Sequence, residues 1–267
     1  MTVVQEPRTL TADQVRSFWA NGYLPLEDVT TEDQREHLKQ TLQDLVDRPP
    51  ERRTPDFTVD RNSTSALRNI NHFTRYWIAG SELIRHPRIL GALQDLLGAD
   101  VRFHHTKVML KRPYEGTTIT WHQDLASYVE PDERQRLIAL GPSLTAEDVP
   151  MIAVQHYLDD ATLENGCLCF ARDTHRQGLA AIPQTEEERQ RFSEERYFPA
   201  DQVLKAPVKA GSAVLFHSLL FHYSGPNQSP RPRRGPIVQY FAPPQKFTLS
   251  SGDDQPDLPH GERLITR

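Results

Sequence analysis

This chain of 267 residues has only two cysteines, no long apolar run and no excess of basic residues. Its cysteines, Cys167 and Cys169, stand two residues apart, a poor spacing for a disulfide and too few ligands for a structural zinc site. We therefore expect two buried thiols in a reducing cytoplasm. No apolar run approaches the roughly 18 residues of a membrane-spanning helix, and residues 1–10 lack the pattern of a secretory signal.

The charge balance excludes a second group of functions. Lys and Arg together number 31 and Asp and Glu 36, which gives a formal net charge of −5. A mildly acidic chain is a poor non-specific ligand for nucleic acids and anionic membranes, so we expect neither as a partner. Hydrophobic residues make up 37% of the chain, enough for the packed core of a globular protein.

What is present divides the chain at about residue 100. Before it, Thr11 with Gln14 and Thr31 with Gln34 form capping-box pairs, and each pair predicts the start of a helix. Prolines outnumber glycines by 21 to 13, which indicates many short elements. The other predictions for this part are a strand over 23–29, a polar loop over 49–65 and a helical segment over about 81–97 that Pro87 divides.

After residue 100 the pattern changes to short apolar or alternating runs, which are typical of a β-sandwich or barrel. The runs are Val101–Leu110, Met151–Leu158, Gly166–Phe170, Val203–Val208, Ser212–Phe221 and Ile237–Phe241. We expect a mainly β fold with flanking helices and one domain over 1–267. Its parts would be a helical N-terminal region over about 1–100, a barrel core over about 101–245 and a polar tail over 251–267.

Trp121-His122-Gln123-Asp124 is the first chemical motif. In an extended segment residues i and i+2 point to the same side, so His122 and Asp124 could offer an imidazole and a carboxylate to one metal ion. A His-x-Asp triplet also arises easily by chance, and a polar loop pair is the alternative interpretation.

The segment 211–227 is the second motif, an apolar strand that carries His217 and His222. Either histidine could be a third ligand, and in an unbroken strand the two would face opposite sides. Two histidines and one carboxylate form the facial triad of non-haem Fe(II) oxygenases. Catalytic zinc sites use the same ligand types, so the triad alone does not name the metal.

Three arginines, Arg231, Arg233 and Arg234, precede the last predicted strand. A hairpin returning from His222 would lay one of them beside the metal, on the neighbouring strand. A guanidinium binds a carboxylate through two parallel hydrogen bonds, so such an arginine would suit an acidic co-substrate. For Arg231 and Arg234 the alternative is a solvated basic turn.

Taken together, these motifs resemble those of the phytanoyl-CoA dioxygenase family of Fe(II)/2-oxoglutarate oxygenases. The likeness runs over nearly the whole chain, and the ten residues between His222 and Arg233 equal the family's interval. The matching stretches are Leu10-Thr11, Gln14-Val15, Phe18, Asn21-Gly22-Tyr23, 101–105, 111–113, 121–124, 158–160, 164–168, Thr174-His175, Gly178, 222–224, Asn227 and Arg233.

The resemblance implies a double-stranded β-helix, which is a jelly-roll or cupin-like barrel, buttressed by N-terminal helices. It implies that His122, Asp124 and His222 hold Fe(II), and that 2-oxoglutarate and O2 are co-substrates. Arg233 would anchor the distal carboxylate of 2-oxoglutarate with help from Ser224. The family's co-substrate lysine matches Lys111, and His217 is then a structural residue of the barrel.

One position departs from the family pattern, because Gln155 stands where many relatives carry Trp near the co-substrate. We expect this smaller polar residue to reshape the pocket beside 2-oxoglutarate. For substrate contacts we expect His105 on the first barrel strand, Tyr128 shortly after the triplet, and His72 from the helical region. Asp124 argues against halogenation, since halogenating relatives carry a small residue there.

The predicted function is oxidation of a C–H bond in a small organic molecule, as a tailoring hydroxylase of secondary or antibiotic metabolism. The same oxidant could instead give carbocyclisation, epimerisation or desaturation. A third possibility is a cupin-like metal-binding barrel without oxygenase activity, although that barrel would not need Lys111, Ser224 and Arg233. The partner is thus a small molecule, and the sequence sets no oligomeric state.

Overall fold

Eleven strands of the described chain form two antiparallel sheets. The computed structural model describes residues 9–60, 66–98, 100–114, 118–183 and 185–252. The strands are β1 (Tyr23–Leu26), β2 (Phe57–Val59), β3 (Leu67–Asn71), β4 (Arg102–Lys111), β5 (Ile119–His122), β6 (Met151–His156), β7 (Leu168–Ala171), β8 (Val203–Ala206), β9 (Ala213–His217), β10 (His222–Ser224) and β11 (Arg233–Phe241). The large sheet has the order β1-β9-β6-β11-β4-β3-β2 and the small sheet β5-β10-β7-β8.

Six α-helices of the described chain flank the sheets. They are α1 (Ala12–Asn21), α2 (Glu32–Val46), α3 (Ile78–Ser81), α4 (Pro87–Leu97), α5 (Pro131–Leu140) and α6 (Glu186–Ser193). Of these, α2 and α4 cover the outer face of the large sheet. Leu42 of α2 and Leu93 of α4 share one apolar core with Val108, Val154 and Val238 of the sheet. Their neighbours along the strands point the other way, toward the small sheet, because side chains alternate along a strand. No helix of the described residues is both long and apolar enough to cross a membrane.

The structure confirms the mainly β fold with flanking helices. It also confirms both capping boxes and the division of the third helical segment, since Pro87 is the first residue of α4. The strand predicted over 23–29 is present as β1. The N-terminal region is otherwise less purely helical than expected, because β2, which lies within the loop predicted over 49–65, and β3 also join the large sheet. Of the expected polar tail, residues 253–267 lie outside the described residues.

The predicted hairpin between His222 and the arginines is wrong. The chain leaves the large sheet after His217, and β10 begins at His222 in the small sheet. From β10 the chain returns to the large sheet, where β11 pairs with β4 and β6. Arg233 therefore lies on the strand across from the metal motif rather than beside it. Arg234 is not in the solvated turn that was the alternative for it, because it belongs to β11 and forms an ion pair with Asp159.

Candidate metal and co-substrate site

The three predicted metal ligands meet in the small sheet. His122 ends β5 and pairs directly with His222, the first residue of β10. Asp124 lies two residues after His122, at the start of a short 3-10 helix. Its Oδ1 atom lies 3.5 Å from His122 Nε2 and 3.7 Å from His222 Nε2. One ligand atom from each residue lies within 4.8 Å of the other two. A divalent ion with bonds of about 2.0–2.2 Å fits between such atoms.

Backbone contacts orient both imidazoles for metal binding. His122 Nδ1 lies 2.7 Å from the carbonyl oxygen of Thr120, and His222 Nδ1 lies 3.0 Å from that of Leu220. Since a carbonyl only accepts, each Nδ1 carries the proton and donates, which leaves the Nε2 lone pair for a metal. Burial and the neighbouring His122 lower the pKa of His222 to about 4, although the negative charge of Asp124 acts to raise it. The ring is therefore neutral at pH 7, as a ligand must be.

A glutamine of the large sheet holds the carboxylate of Asp124. Gln239 on β11 donates from Nε2 to Asp124 Oδ2 at 2.7 Å, so Oδ1 is the atom left facing the two imidazoles. Burial raises the pKa of Asp124, but His222, His122 and the Gln239 hydrogen bond together keep it well below its ordinary value. The donor set is thus two neutral imidazoles and one ionised carboxylate, which fits Fe(II) with open positions.

Arg233 is a buried cation without an anion. Only 1% of the residue is exposed, and its Nε and Nη1 atoms have no hydrogen-bond partner in the described part of the chain. Leaving a buried charge uncompensated costs several kcal/mol, about 3–5 in measured cases, so this environment indicates an anionic ligand. The adjacent Arg234 is different, because its Nε and Nη2 donate to both carboxylate oxygens of Asp159 at 2.8 and 2.7 Å.

Two more buried polar groups lie near this guanidinium. Tyr157 packs against it, with 5.9 Å between Arg233 Cζ and the ring centre, and the Tyr157 hydroxyl has no partner among the described residues. The Nε2 atom of Gln155 likewise has none, and a Cβ added at Gly235 would lie 2.4 Å from it. Gly235 stands between Arg233 and Ile237 on the inward face of β11, so the absent side chain leaves room there for the Gln155 amide.

The other predicted co-substrate residues occupy different positions. Ser224 is 2% exposed and lines the cavity described next. Lys111 pairs with Arg233 across β4 and β11, and its Nζ donates to the carbonyl oxygens of Ser224, at 3.2 Å, and of Gly225. Its ammonium therefore fixes the chain after β10. A direct contact of Lys111 with a co-substrate stays a prediction.

A cavity of about 280 Å³ lies between the two sheets, beside the ligand cluster. His105 and Tyr128, predicted as substrate contacts, both line it, with 5.3 Å between their ring centres. His72 is not among the described residues of the wall, and it packs edge-on against His105 with 4.8 Å between ring centres. The described wall consists of Arg68, Asn69, His105, Lys107, Met109, Thr118, Ile119, Thr120, His122, Asp124, Tyr128, Gln155, Leu168, Phe216, His222, Tyr223, Ser224, Ile237 and Gln239.

His217 uses both ring nitrogens within the protein. Its Nε2 lies 3.1 Å from the carbonyl oxygen of Ala146, and its Nδ1 accepts from the Leu219 amide at 3.1 Å. The donation therefore comes from Nε2, and no lone pair is left for a metal. His222 is the histidine that completes the cluster.

Sequence reasoning missed Gln239, Tyr157 and Lys107. The signal that could have found them is the two-residue alternation of strands. Gln239 lies six residues after Arg233 on β11, Tyr157 two after Gln155 at the end of β6, and Lys107 between His105 and Lys111 on β4. Each shares an inward face with a residue that the sequence had already singled out.

Comparison with known proteins places the chain in a family. The family model for phytanoyl-CoA dioxygenase (PhyH) matches residues 18–235. The chain belongs to the phytanoyl-CoA dioxygenase family. Membership confirms the predicted class of iron- and 2-oxoglutarate-dependent dioxygenase, and with it the expected Fe(II), 2-oxoglutarate and O2.

Individual relatives cover most of the chain. An ectoine dioxygenase of Bordetella parapertussis is 26% identical in an alignment 276 residues long, and the alignment covers 97% of this chain and 83% of the relative. An L-proline trans-4-hydroxylase of Streptomyces griseoviridis is 27% identical in an alignment 240 residues long, and the alignment covers 84% of this chain and 83% of the relative. The crystal structure of EctD from S. alaskensis with 2-oxoglutarate and 5-hydroxyectoine has a TM-score of 0.69 at 22% identity, covering 94% of this chain and 83% of that one. At 22% identity, the likeness to this EctD structure shows the fold alone.

Proposed function

We propose that His122, Asp124 and His222 hold the iron of a hydroxylase acting on a small organic molecule. The observation that carries the proposal is the meeting of three ligand atoms within 4.8 Å, with both imidazole Nε2 lone pairs and one carboxylate oxygen turned to the same point. Iron bound there with 2-oxoglutarate would supply the oxidant that removes hydrogen from a substrate C–H bond.

The remaining residues divide the other tasks. Arg233 pairs with the distal carboxylate of 2-oxoglutarate, and Ser224 and Gln155 contact the co-substrate from either side. Gln239 keeps Oδ1 of Asp124 turned inward by holding Oδ2. His105 and Tyr128 form the wall on which the substrate rests, with His72 supporting His105 from behind. Positioning of the C–H bond by this wall decides which bond reacts.

The size of the cavity and the relatives support a small substrate. A volume of about 280 Å³ must accommodate 2-oxoglutarate and the substrate together. The two relatives are named for ectoine and L-proline, both small cyclic amino acids. We therefore propose a substrate of that size, in tailoring of a secondary or antibiotic metabolite. We also propose that the chain works as one domain, and in the cytoplasm, where its two buried free thiols stay reduced.

Anaerobic titration of the full-length protein with Fe(II) and 2-oxoglutarate tests the proposal. We expect the visible charge-transfer absorption of a 2-oxoacid bound to Fe(II), and we expect it to vanish in His122→Ala, Asp124→Ala and His222→Ala. His217→Ala is the matched control, since that ring serves Ala146 and Leu219, and it should retain the absorption at a lower melting temperature. Absorption that persists without His222 but disappears without His217 would show that we have assigned the wrong histidine.

A further inference from the structure

Tyr157 and Tyr240 are both fully buried, at 1% and 0% exposure, but their hydroxyl groups have different environments. The Tyr240 hydroxyl donates to the carbonyl oxygen of Ile84 at 3.0 Å. The Tyr157 hydroxyl has no hydrogen-bond partner among the residues that the structure describes. A buried tyrosine hydroxyl normally makes a hydrogen bond, and leaving it unmade costs free energy. The environment of Tyr157 therefore indicates a partner that the described chain does not supply, either a ligand or a water molecule.

The backbone fixes the place at which the Tyr157 ring enters the interior. The Tyr157 amide donates to the carbonyl oxygen of Ser212 at 3.0 Å, and its carbonyl oxygen accepts from the Gly211 amide at 2.8 Å. The Leu158 amide donates to the carbonyl oxygen of Arg234 at 3.1 Å, so the antiparallel pairing of β6 with β11 continues to the end of β6. The ring is thus attached to packed sheet rather than to a loop.

The Tyr157 ring lies between the two sheets, beside the Arg233 guanidinium. It belongs to an apolar cluster that includes Phe216 of the large sheet and Phe170 of the small sheet. Its ring centre lies 5.9 Å from Arg233 Cζ. The Nε and Nη1 atoms of Arg233 also have no partner in the described chain. A buried cation and a buried hydroxyl are therefore neighbours, and one anion can satisfy both.

The Tyr157 hydroxyl is available to this anion as a donor. Burial raises its pKa, and the positive charge of Arg233 opposes only part of the rise, so the group keeps its proton at neutral pH. A guanidinium has hydrogen-bond donors and no acceptor, so Arg233 cannot accept the hydroxyl hydrogen. A carboxylate beside Arg233 can accept from the guanidinium and from the hydroxyl together, because its two oxygens offer about four lone pairs.

We propose that the Tyr157 hydroxyl donates a hydrogen bond to the distal carboxylate of 2-oxoglutarate, beside the Arg233 guanidinium. The inference rests on the proposed function, and it gives Tyr157 part of the choice of co-substrate. A hydrogen bond to a charged acceptor corresponds to roughly 10- to 100-fold in affinity. A 2-oxo acid without a second carboxylate gains nothing from this hydroxyl, so Tyr157 favours dicarboxylic over monocarboxylic 2-oxo acids.

Isothermal titration of the full-length protein loaded with Ni(II) tests the assignment without turnover. The probes are 2-oxoglutarate and 2-oxopentanoate, which has the same chain length with a methyl group in place of the distal carboxylate. Tyr157→Phe removes one oxygen atom and keeps the ring. Tyr240→Phe is the matched control, because it removes an equally buried hydroxyl whose partner is the backbone of Ile84.

We expect Tyr157→Phe to raise the Kd for 2-oxoglutarate by about tenfold or more. Its Kd for 2-oxopentanoate and its Kd for Ni(II) should stay within about twofold, as should all three constants in Tyr240→Phe. Without ligand, Tyr157→Phe should melt at the temperature of the unmodified protein or above it, since its hydroxyl has no partner to lose. Tyr240→Phe should melt at a lower temperature.

Three results would overturn the inference. A rise in the Kd for 2-oxoglutarate of less than about threefold in Tyr157→Phe would mean that the hydroxyl serves a water molecule. An equal loss for both acids would place Tyr157 at the metal end of the co-substrate, and an equal loss in Tyr240→Phe would show a general effect of packing. If the unmodified protein binds no 2-oxoglutarate at all, the proposed function itself fails, and the role of Tyr157 fails with it.

Discussion

Arg233 and Arg234 are neighbours in the chain with opposite environments. Arg234 donates to both oxygens of Asp159, while the Nε and Nη1 atoms of Arg233 have no partner in the described chain. Alternation along β11 causes the difference, because consecutive side chains leave opposite faces of a strand. Arg234 thus forms an ion pair near the surface, whereas the buried Arg233 is placed to bind a ligand in the interior.

This contrast predicts different effects for two adjacent substitutions. Arg233→Leu should raise the Kd for 2-oxoglutarate by about 10- to 100-fold, since it removes a charge-assisted pair of about 1.5–3 kcal/mol, and should leave Fe(II) binding nearly unchanged. Arg234→Leu should lower the melting temperature and leave the Kd within about threefold. Titrations with 2-oxoglutarate in the presence of Ni(II) measure both. Equal losses of affinity in the two variants would contradict the assignment of Arg233.

At this scale the sequence predicted the metal ligands better than their supports. Spacing made His122 and Asp124 candidates with a polar loop pair as the alternative, and the family resemblance supported them and chose His222 over His217. Gln239 and Tyr157 were missed because their contacts depend on how far the two sheets stand apart, which no local pattern encodes. The co-substrate role of Lys111 stays a prediction, and its hydrogen bonds to Ser224 and Gly225 were not foreseeable from a strand pattern.

Among the elements, helix caps were the most predictable feature. Thr11 and Thr31 accept hydrogen bonds from the backbone of Gln14 and Gln34, and these contacts are local in sequence. The same signal stands at Thr185 and Glu188, which begin α6, and it went unused. The break between β9 and β10 was not foreseen, because the apolar run through it looks like one strand.

The caps of α2 and α6 should differ in their effect on stability. Thr31→Ala should lower the free energy of unfolding by about 1 kcal/mol, since α2 buries Leu38, Leu42 and Leu45 against the sheet. Thr185→Ala is the matched control, and its effect should be smaller because α6 has no buried residue among those described. Chemical denaturation of the two variants measures the difference. A larger loss at Thr185 would mean that α6 belongs to the cooperative core.

For the molecule as a whole, the class of fold was predictable and the path of the chain was not. Alternating runs after residue 100 were enough for a β-sandwich or barrel. The hairpin predicted from His222 to Arg233 was wrong, because nothing in the local sequence of either strand indicates that the two lie in opposite sheets. Pairing between distant strands is fixed by the packing of the core, here the apolar layer between α2, α4 and the large sheet.

Buried neutral histidines make global stability sensitive to acid. Burial, with a smaller contribution from His86, lowers the pKa of His156 to about 3, against about 6.5 in the unfolded chain. The stability that depends on a neutral ring is therefore complete above pH 6.5, and it is lost as the pH falls from there toward 3. The expected loss is up to about 1.4 kcal/mol for each pH unit in that window.

His156→Leu provides the comparison for this prediction. Neither ring nitrogen of His156 has a hydrogen-bond partner in the described structure, so leucine should be tolerated at neutral pH. The difference in unfolding free energy between the two proteins should be flat from pH 7 to 8 and should grow in favour of the variant between pH 6 and 4. Urea denaturation at each pH gives the difference. A constant difference across the range would mean that His156 takes up a proton without unfolding.

The metal ligands stand on one sheet, whereas Arg233, Gln155 and Tyr157 stand on the other. A keto diacid that chelates the metal and also pairs with the Arg233 guanidinium must then span the space between the two sheets. We therefore expect the spacing of the two sheets to favour one length of diacid, so that a diacid one methylene shorter or longer should bind more weakly. Discrimination among dicarboxylic acids by length would thus be a property of the sandwich itself, set by the residues that space its two halves.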